Sequence, residues 1–138
     1  MNNAIKFLTS LLFTALLTAL ATTQGTAMVN TKRTPPAKLK PVRGSGIEYR
    51  APHKMIGCVE AWNTAENQRI WFRQIYTVQY NPSLERDVQD IFISGLKLET
   101  EHQRLTIENE KGGIFTLNLE TLEVQAVKGQ SVVRFDNG

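Results

Sequence analysis

Apolar and polar residues alternate through most of the chain after position 46. The longest alternating stretch, residues 70–80, places Ile70 and Phe72 on one side and Trp71 and Arg73 on the other. Alternation with β-branched and aromatic residues is typical of a strand that has one buried face. We therefore predict a strand here that buries its even-numbered side chains and exposes its odd-numbered ones.

Turn residues separate further segments of the same kind. Two glycines at 110–113 supply the positive φ that a hairpin loop needs. Asn81 as N-cap and Pro82 as first residue predict one short helix that extends to Gln89. Short connections without a long 3.6-residue period favour an all-β fold, an antiparallel meander of about seven strands arranged as blade-like hairpins or a small sandwich. The six shorter predicted strands are residues 56–62, 91–98, 105–108, 115–119, 122–126 and 131–135.

The first residues have the pattern of a secretory signal peptide. Lys6 precedes an apolar run over residues 7–21, and small and polar residues follow. This run is shorter than the roughly 20 apolar residues that a membrane-spanning helix needs. We predict a signal peptide over residues 1–27, with cleavage after Ala27 or, alternatively, after Ala21. The protein is then exported, periplasmic or secreted, and its mature chain has no transmembrane segment.

Residues 28–45 combine basic residues with prolines and contain no acid, so we predict a flexible linker before a β-domain over 46–138. From Gly44 onward the chain holds ten basic and thirteen acidic residues, although its total net charge is +3. The linker is either a solvated spacer or a contact to an anionic surface, such as phospholipid head groups or an acidic protein. The predicted anionic-surface contacts are Lys32, Arg33, Lys38, Lys40 and Arg43.

Candidate chemistry is sparse. The single cysteine, Cys58, lies in an apolar run and is expected to be a buried free thiol, because it has no internal disulfide partner. His53 and His102 have no cysteine at the spacing of a zinc site, and we predict neither a metal nor a cofactor. Loop carboxylates such as Glu108 and Glu110 supply the residue type for acid–base catalysis, so a small exported hydrolase remains an alternative.

Two segments of the chain are similar to each other. Residues 57–71 run from a glycine through a short apolar strand and Asn63 to Trp71, and residues 113–124 repeat this order around Asn118. Both resemble the pyrroloquinoline-quinone-type β-propeller repeat, which has an aspartate at the position of the two asparagines. The resemblance implies blade-like hairpins. Because a closed propeller needs four or more blades, it implies no axial cofactor pocket in this chain alone.

Trp71 and Arg73 are the predicted partner-binding residues, because tryptophan and arginine on the polar side of a strand are typical interface anchors. The leading hypothesis is an exported non-catalytic β-domain that binds a protein or envelope partner. The alternatives are the hydrolase and a structural subunit that completes a larger β assembly. A homodimer or heterocomplex is expected because an edge strand would otherwise stay open. Nucleic acid is not an expected partner, because the protein is exported and no aromatic residue lies between the basic ones.

Overall fold

The computed structural model describes residues 33–134, so the predicted signal peptide and Lys32 lie outside the described residues. The described chain contains ten strands and two short 3-10 turns, which confirms the all-β prediction. The 3-10 turns are Asp87–Gln89 and Thr100–His102. The strands are β1 Val42–Gly44, β2 Ile47–Arg50, β3 Cys58–Asn63, β4 Gln68–Gln74, β5 Thr77–Gln79, β6 Ile93–Glu99, β7 Arg104–Asn109, β8 Ile114–Asn118, β9 Val124–Lys128 and β10 Val132–Arg134.

The strands form two four-stranded antiparallel sheets and one parallel pair. The first sheet has the order β1-β2-β3-β4 and the second β6-β7-β8-β9, so each strand pairs with the next along the chain. This confirms the predicted antiparallel meander. Strands β5 and β10 run parallel, with Val78 opposite Val133. Since β5 follows β4 and β10 follows β9, this pair joins the segments that leave the last strand of each sheet.

One apolar core is shared by both sheets. The first sheet contributes Val59 and Ala61, and the second contributes Leu105, Ile107 and Phe115, among others. Both sheets therefore bury apolar side chains in one common core, and the choice between blade-like hairpins and a small sandwich stays a prediction. Segments between the sheets complete this core: the ring of Tyr76 stacks on Phe115 with centroids 5.3 Å apart.

The domain begins earlier than predicted, inside the range 28–45 assigned to the linker. Strand β1 pairs with β2, and Leu39 packs against the core. The connection is a two-residue turn in which Ser45 and Gly46 have φ values of 51° and 74°. Positive φ at both central residues is the geometry of the tight hairpin turn that suits twisted strands. The segment 42–44 is therefore a strand of the domain, not flexible linker.

The predicted faces of β4 are wrong. Ile70 and Phe72 are 51% and 53% exposed, whereas Trp71 packs against the core, its ring centroid 6.0 Å from that of Tyr49. The register explains the reversal: Trp71 lies opposite the buried Ala61, and a bulge follows in the next pairing. The predicted strand 70–80 also breaks after Gln74. Its next two residues are both buried, which no alternating strand allows.

The predicted helix after Asn81 is replaced by a loop that ends in the 3-10 turn at Asp87–Gln89. A buried glutamine, Gln89, organises this loop. Its Oε1 accepts a hydrogen bond from the Asn81 backbone N–H at 2.6 Å, and its Nε2 donates to the carbonyls of Asn81, Leu84 and Glu85. These side-chain bonds satisfy carbonyl groups that a helix would otherwise pair with its own N–H groups.

Candidate functional site: the arginine–aromatic face of the first sheet

The side chains of the first sheet that point away from the core form a linked row of charged and aromatic groups. We call it the arginine–aromatic face. The register places its members together, because residues directly opposite each other in antiparallel strands share a face. They are Arg43, Glu48, Arg50, Glu60, Trp62, Arg69 and Phe72.

At one end of this face Glu48 is buried between two arginines. Its side chain carries a charge although the residue is only 4% exposed. The Arg43 Nε donates to Glu48 Oε2 at 2.6 Å, and the Arg50 Nε donates to Oε1. The hydrogen bond from Arg50, followed by that from Arg43, holds the pKa of Glu48 below its ordinary value. Glu48 is therefore an ionised carboxylate with both oxygens engaged.

Glu60 occupies the equivalent position in the middle of the sheet and is 7% exposed. Its Oε1 accepts a hydrogen bond from Arg69 Nη1 at 2.8 Å, and its Oε2 accepts one from Trp62 Nε1 at 3.0 Å. Burial raises the pKa of Glu60, but the hydrogen bonds from Arg69 and Trp62 outweigh burial, so the pKa lies below its ordinary value. This carboxylate is also ionised and fully engaged.

Cation–π contacts join the two carboxylate groups into one row. The Arg50 guanidinium carbon lies 4.6 Å from the centroid of the Trp62 ring, and that of Arg69 lies 5.2 Å from the centroid of Phe72. Arginine over an aromatic face is favourable because the ring presents a negative surface to the cation. Arg50 and Arg69 are thus each held between a carboxylate and an aromatic ring.

Strand β4 forms the outer edge of this sheet. It pairs only with β3 among the described strands, and six of its seven residues are exposed. Its sequence contains two arginines, Arg69 and Arg73, and no acid. Ile70 and Phe72 lie in the middle of this edge and are both more than half exposed. An edge strand leaves backbone N–H and C=O groups free to pair with another chain.

The carboxylates of the domain are arranged for ion pairing. Glu99 accepts hydrogen bonds from Thr106 and Arg104, which hold its pKa below the ordinary value. Glu110 binds Arg33 and the backbone N–H of Phe92. The pKa values of Glu48, Glu60 and Glu99 all lie below the ordinary value. A general acid at neutral pH needs the opposite, a raised pKa. Residues 33–134 contain no cluster of three or more metal-ligating side chains.

The two predicted partner-binding residues differ in how far they are buried. Trp71 is half-buried against the core, whereas Arg73 is exposed at the end of β4 opposite Val59. Their role in partner binding stays a prediction. The exposed aromatic of this strand is Phe72, which the alternation had placed inside. Its exposure follows from the register, which places Phe72 opposite Glu60 on the outer face, and the pattern within one strand does not determine that register.

The predicted cationic tail is partly folded into the domain. Arg33 pairs with Glu110 at 2.6 Å and lies over Phe92, and Arg43 belongs to the arginine–aromatic face. Lys38 and Lys40 are exposed. The contact of these residues with an anionic surface remains a prediction.

Cys58 is a buried free thiol, as expected from the sequence. Its Sγ donates to Gln74 Oε1 at 3.2 Å, and burial raises its pKa. A thiol with a raised pKa is a poor nucleophile at neutral pH, because the thiolate is the reactive form.

No protein-family model matches this chain, and no curated protein matches it. Within residues 33–134 the structure contains no helix that is long and apolar enough to cross a membrane.

Proposed function

We propose that this chain is an exported, non-catalytic β-domain that binds a protein partner, and that the partner adds a strand to the open edge of β4. The observation that carries the proposal is the exposure of Ile70 and Phe72 in the middle of that edge. Strand addition takes its affinity from backbone hydrogen bonds and its specificity from side chains that flank the new strand. Both kinds of contact are present on β4.

The charge of the edge favours an acidic partner strand over a second copy of this chain. Because β4 carries arginines and no acid, antiparallel pairing of two copies would bring like charges together, which is destabilising. A partner strand with glutamate or aspartate gains opposite-charge pairs instead. Phe72 then serves as an apolar anchor beside the guanidinium group of Arg69, which lies over its ring.

A pair of defined peptides tests this proposal. The probes are an extended peptide that alternates valine with glutamate and a matched peptide that alternates valine with lysine. In a titration followed by nuclear magnetic resonance, we expect the acidic peptide to shift the backbone amides of β4 and slow their hydrogen exchange. The lysine peptide should leave them unchanged. Shifts confined to other strands, or equal shifts with both peptides, contradict the proposal.

Charge reversal sharpens the test. Arg73→Glu should weaken binding of the acidic peptide at least tenfold and permit binding of the lysine peptide. The control is Lys97→Glu, which changes an exposed charge by the same amount on the second sheet. Phe72→Ser should also weaken binding at least tenfold, the scale of a lost aromatic anchor. If the control has the same effect as Arg73→Glu, binding depends on net charge and not on the edge of β4.

A further inference from the structure

A cavity lies beside the open edge of β4, at the end where that strand stops. It has a volume of about 390 Å³, which is within the range of ligand sites. Phe72 and Gln74 of β4 line it, and so do Thr77 and Val78 of β5. A strand that pairs with the edge of β4 therefore has one end next to this cavity.

The register places the cavity on the same side of the sheet as the arginine–aromatic face. Cys58 lies opposite Gln74, and Glu60 lies opposite Phe72. Residues two apart in a strand, and residues opposite each other, share a face, so all four belong to the face that points away from the core. Because Cys58, Phe72 and Gln74 line the cavity, it continues the arginine–aromatic face to the end of β4.

The side chain of Gln74 fastens one wall of the cavity. Its Nε2 donates to the backbone carbonyl of Ile56 at 3.0 Å, and its Oε1 accepts from the Cys58 Sγ at 3.2 Å. Met55 and Ile56, from the loop before β3, also line the cavity. Since these bonds tie that loop to the end of β4, the wall is formed in advance, and a side chain that enters needs little ordering of the loop.

Aromatic rings and a thioether are part of the wall. Phe72 is 53% exposed, and Met55 lies in the same lining. Tyr80 is held in place, because the Arg86 guanidinium carbon lies 4.5 Å from its ring centroid and its hydroxyl donates to Asp90 Oδ1 at 2.8 Å. Rings pair favourably with other rings and with methionine sulfur, in addition to the area that they bury. An aromatic side chain therefore suits this wall better than an aliphatic one.

The cavity also carries positive charge. Lys54 and Arg86 line it, and both are exposed. They extend to the cavity the basic character that Arg69 and Arg73 give to β4. A carboxylate on the partner strand near the aromatic residue would be attracted to these cations.

We propose that the strand which pairs with β4 carries an aromatic residue at the end that lies beside Gln74, and that this side chain occupies the cavity. A nearby acidic residue of the same strand lies close to Lys54 and Arg86. This inference rests on the proposed strand addition and specifies the partner further: an extended segment of apolar and acidic residues with an aromatic anchor at one end.

Three peptides test the inference on the full chain. The parent alternates valine with glutamate, begins and ends with valine, and has both termini blocked. Each of the other two replaces one terminal valine by phenylalanine, at the amino or at the carboxyl end. Calorimetry should show that only one phenylalanine peptide binds about tenfold more tightly than the parent, because only one end of a paired strand lies beside Gln74. Equal effects at the two ends, or no effect at either, overturn the inference.

A fourth peptide, with leucine at the favoured end, separates an aromatic site from a general apolar one. It should bind at least threefold more weakly than the phenylalanine peptide, and equal binding overturns the assignment of an aromatic occupant. If no peptide binds, both the strand addition and the cavity fail. If the parent shifts the amides of β4 and phenylalanine adds nothing, the strand addition stands and the cavity assignment fails.

Variants locate the anchor. Met55→Ser should remove most of the gain from phenylalanine and leave binding of the parent unchanged, because Met55 lines the cavity and is not part of β4. The control is Val127→Ser, which removes a 64% exposed apolar side chain from β9 and should change neither. If Met55→Ser alters the circular dichroism spectrum, Lys54→Gln replaces it and should weaken the phenylalanine peptide more than the parent. A variant that weakens both peptides by the same factor contradicts the cavity assignment.

Discussion

The two four-stranded sheets are built alike where the third strand turns into the fourth. In the first sheet the Asn63 Oδ1 accepts hydrogen bonds from the backbone N–H groups two and three residues later, and in the second sheet Asn118 does the same. The residue four positions after each asparagine, Asn67 or Leu122, has a positive φ of 49° or 58°. The same local device therefore produces both hairpins.

The sheets differ on the faces that point away from the core. The first buries two carboxylates, Glu48 and Glu60, among arginines and rings, whereas the second has one ion-pair group around Glu99. Burying charge is costly even when it is paired, and apolar residues often replace such pairs without loss of stability. Since the second sheet folds without a comparable row, the arginine–aromatic face is not needed to make a four-stranded meander. This difference is why we place function on the first sheet.

Acid should destabilise the first sheet more than the second, and this is the largest effect that we expect. The pKa values of Glu48 and Glu60 are lowered by folding, so below the ordinary value of 4.5 the unfolded chain takes up protons before the folded one does. Their contribution to stability is complete above about pH 4.5 and is lost as the pH falls through the folded pKa values.

Two spectroscopic probes separate the sheets in this experiment. Both tryptophans of the chain, Trp62 and Trp71, lie in the first sheet, whereas far-ultraviolet circular dichroism reports on both sheets. On acid titration, tryptophan fluorescence should change at a higher pH than circular dichroism. If fluorescence and circular dichroism change at the same pH, the two sheets unfold as one unit, and acid does not distinguish them.

Trp71→Ala should lower the free energy of unfolding by about 2–3 kcal/mol, somewhat less than the loss of a fully buried tryptophan, because Trp71 is half-buried on Tyr49 and the core. Phe72→Ala, its neighbour on the other side of β4, should cost below about 1 kcal/mol. Urea denaturation of the two variants measures both values. A larger loss of stability for Phe72→Ala than for Trp71→Ala would support the alternation, which places Phe72 on the buried side of β4.

Glu60→Gln should lower the free energy of unfolding by about 1–2 kcal/mol, because the buried residue 60 then accepts a weaker, uncharged hydrogen bond from the exposed Arg69. Glu99→Gln removes the corresponding carboxylate from the second sheet, where the site is more exposed, and should cost less. Thermal denaturation at neutral pH compares them. Equal losses would mean that the two outer faces are energetically equivalent.

The smallest effects are expected at the two turns. Asn63→Ala and Asn118→Ala each remove two exposed hydrogen bonds to the backbone, and each should lower the free energy of unfolding by roughly 0.5–1 kcal/mol. Chemical denaturation of both variants should give values that agree within error. A clear difference between them would show that the shared turn has different importance in the two sheets.

The sequence predicts the strands and turns of this domain better than it predicts the faces. Glycines and asparagines mark turns through local backbone chemistry, and 110–113 is a hairpin loop as expected. The faces of β4 depend on its register with β3, which places Trp71 opposite the buried Ala61 and Phe72 opposite Glu60, and no residue within β4 signals that register. The two asparagines of the internal similarity occupy equivalent turns, but the resemblance to propeller repeats stays a prediction.

The arginine–aromatic face was also beyond sequence reasoning. Glu48 and Glu60 are ordinary solvent-facing positions in the alternation, and nothing local indicates that they are buried. Their burial arises because the register of β1–β4 places arginines and rings beside them. Pairing across strands is a property of the fold, so a pattern within one strand does not contain it.

The parallel pair of β5 and β10 sets the order in which this domain can be assembled. Every pairing within the two four-stranded sheets joins strands that are neighbours along the chain. Such local pairings form quickly, because only a short loop has to close. The contact between Gln79 and Arg134 joins residues 55 positions apart and must wait for both sheets to bring its strands together. Refolding should therefore show β10 as the last strand to gain protection from hydrogen exchange, with a rate governed by chain topology.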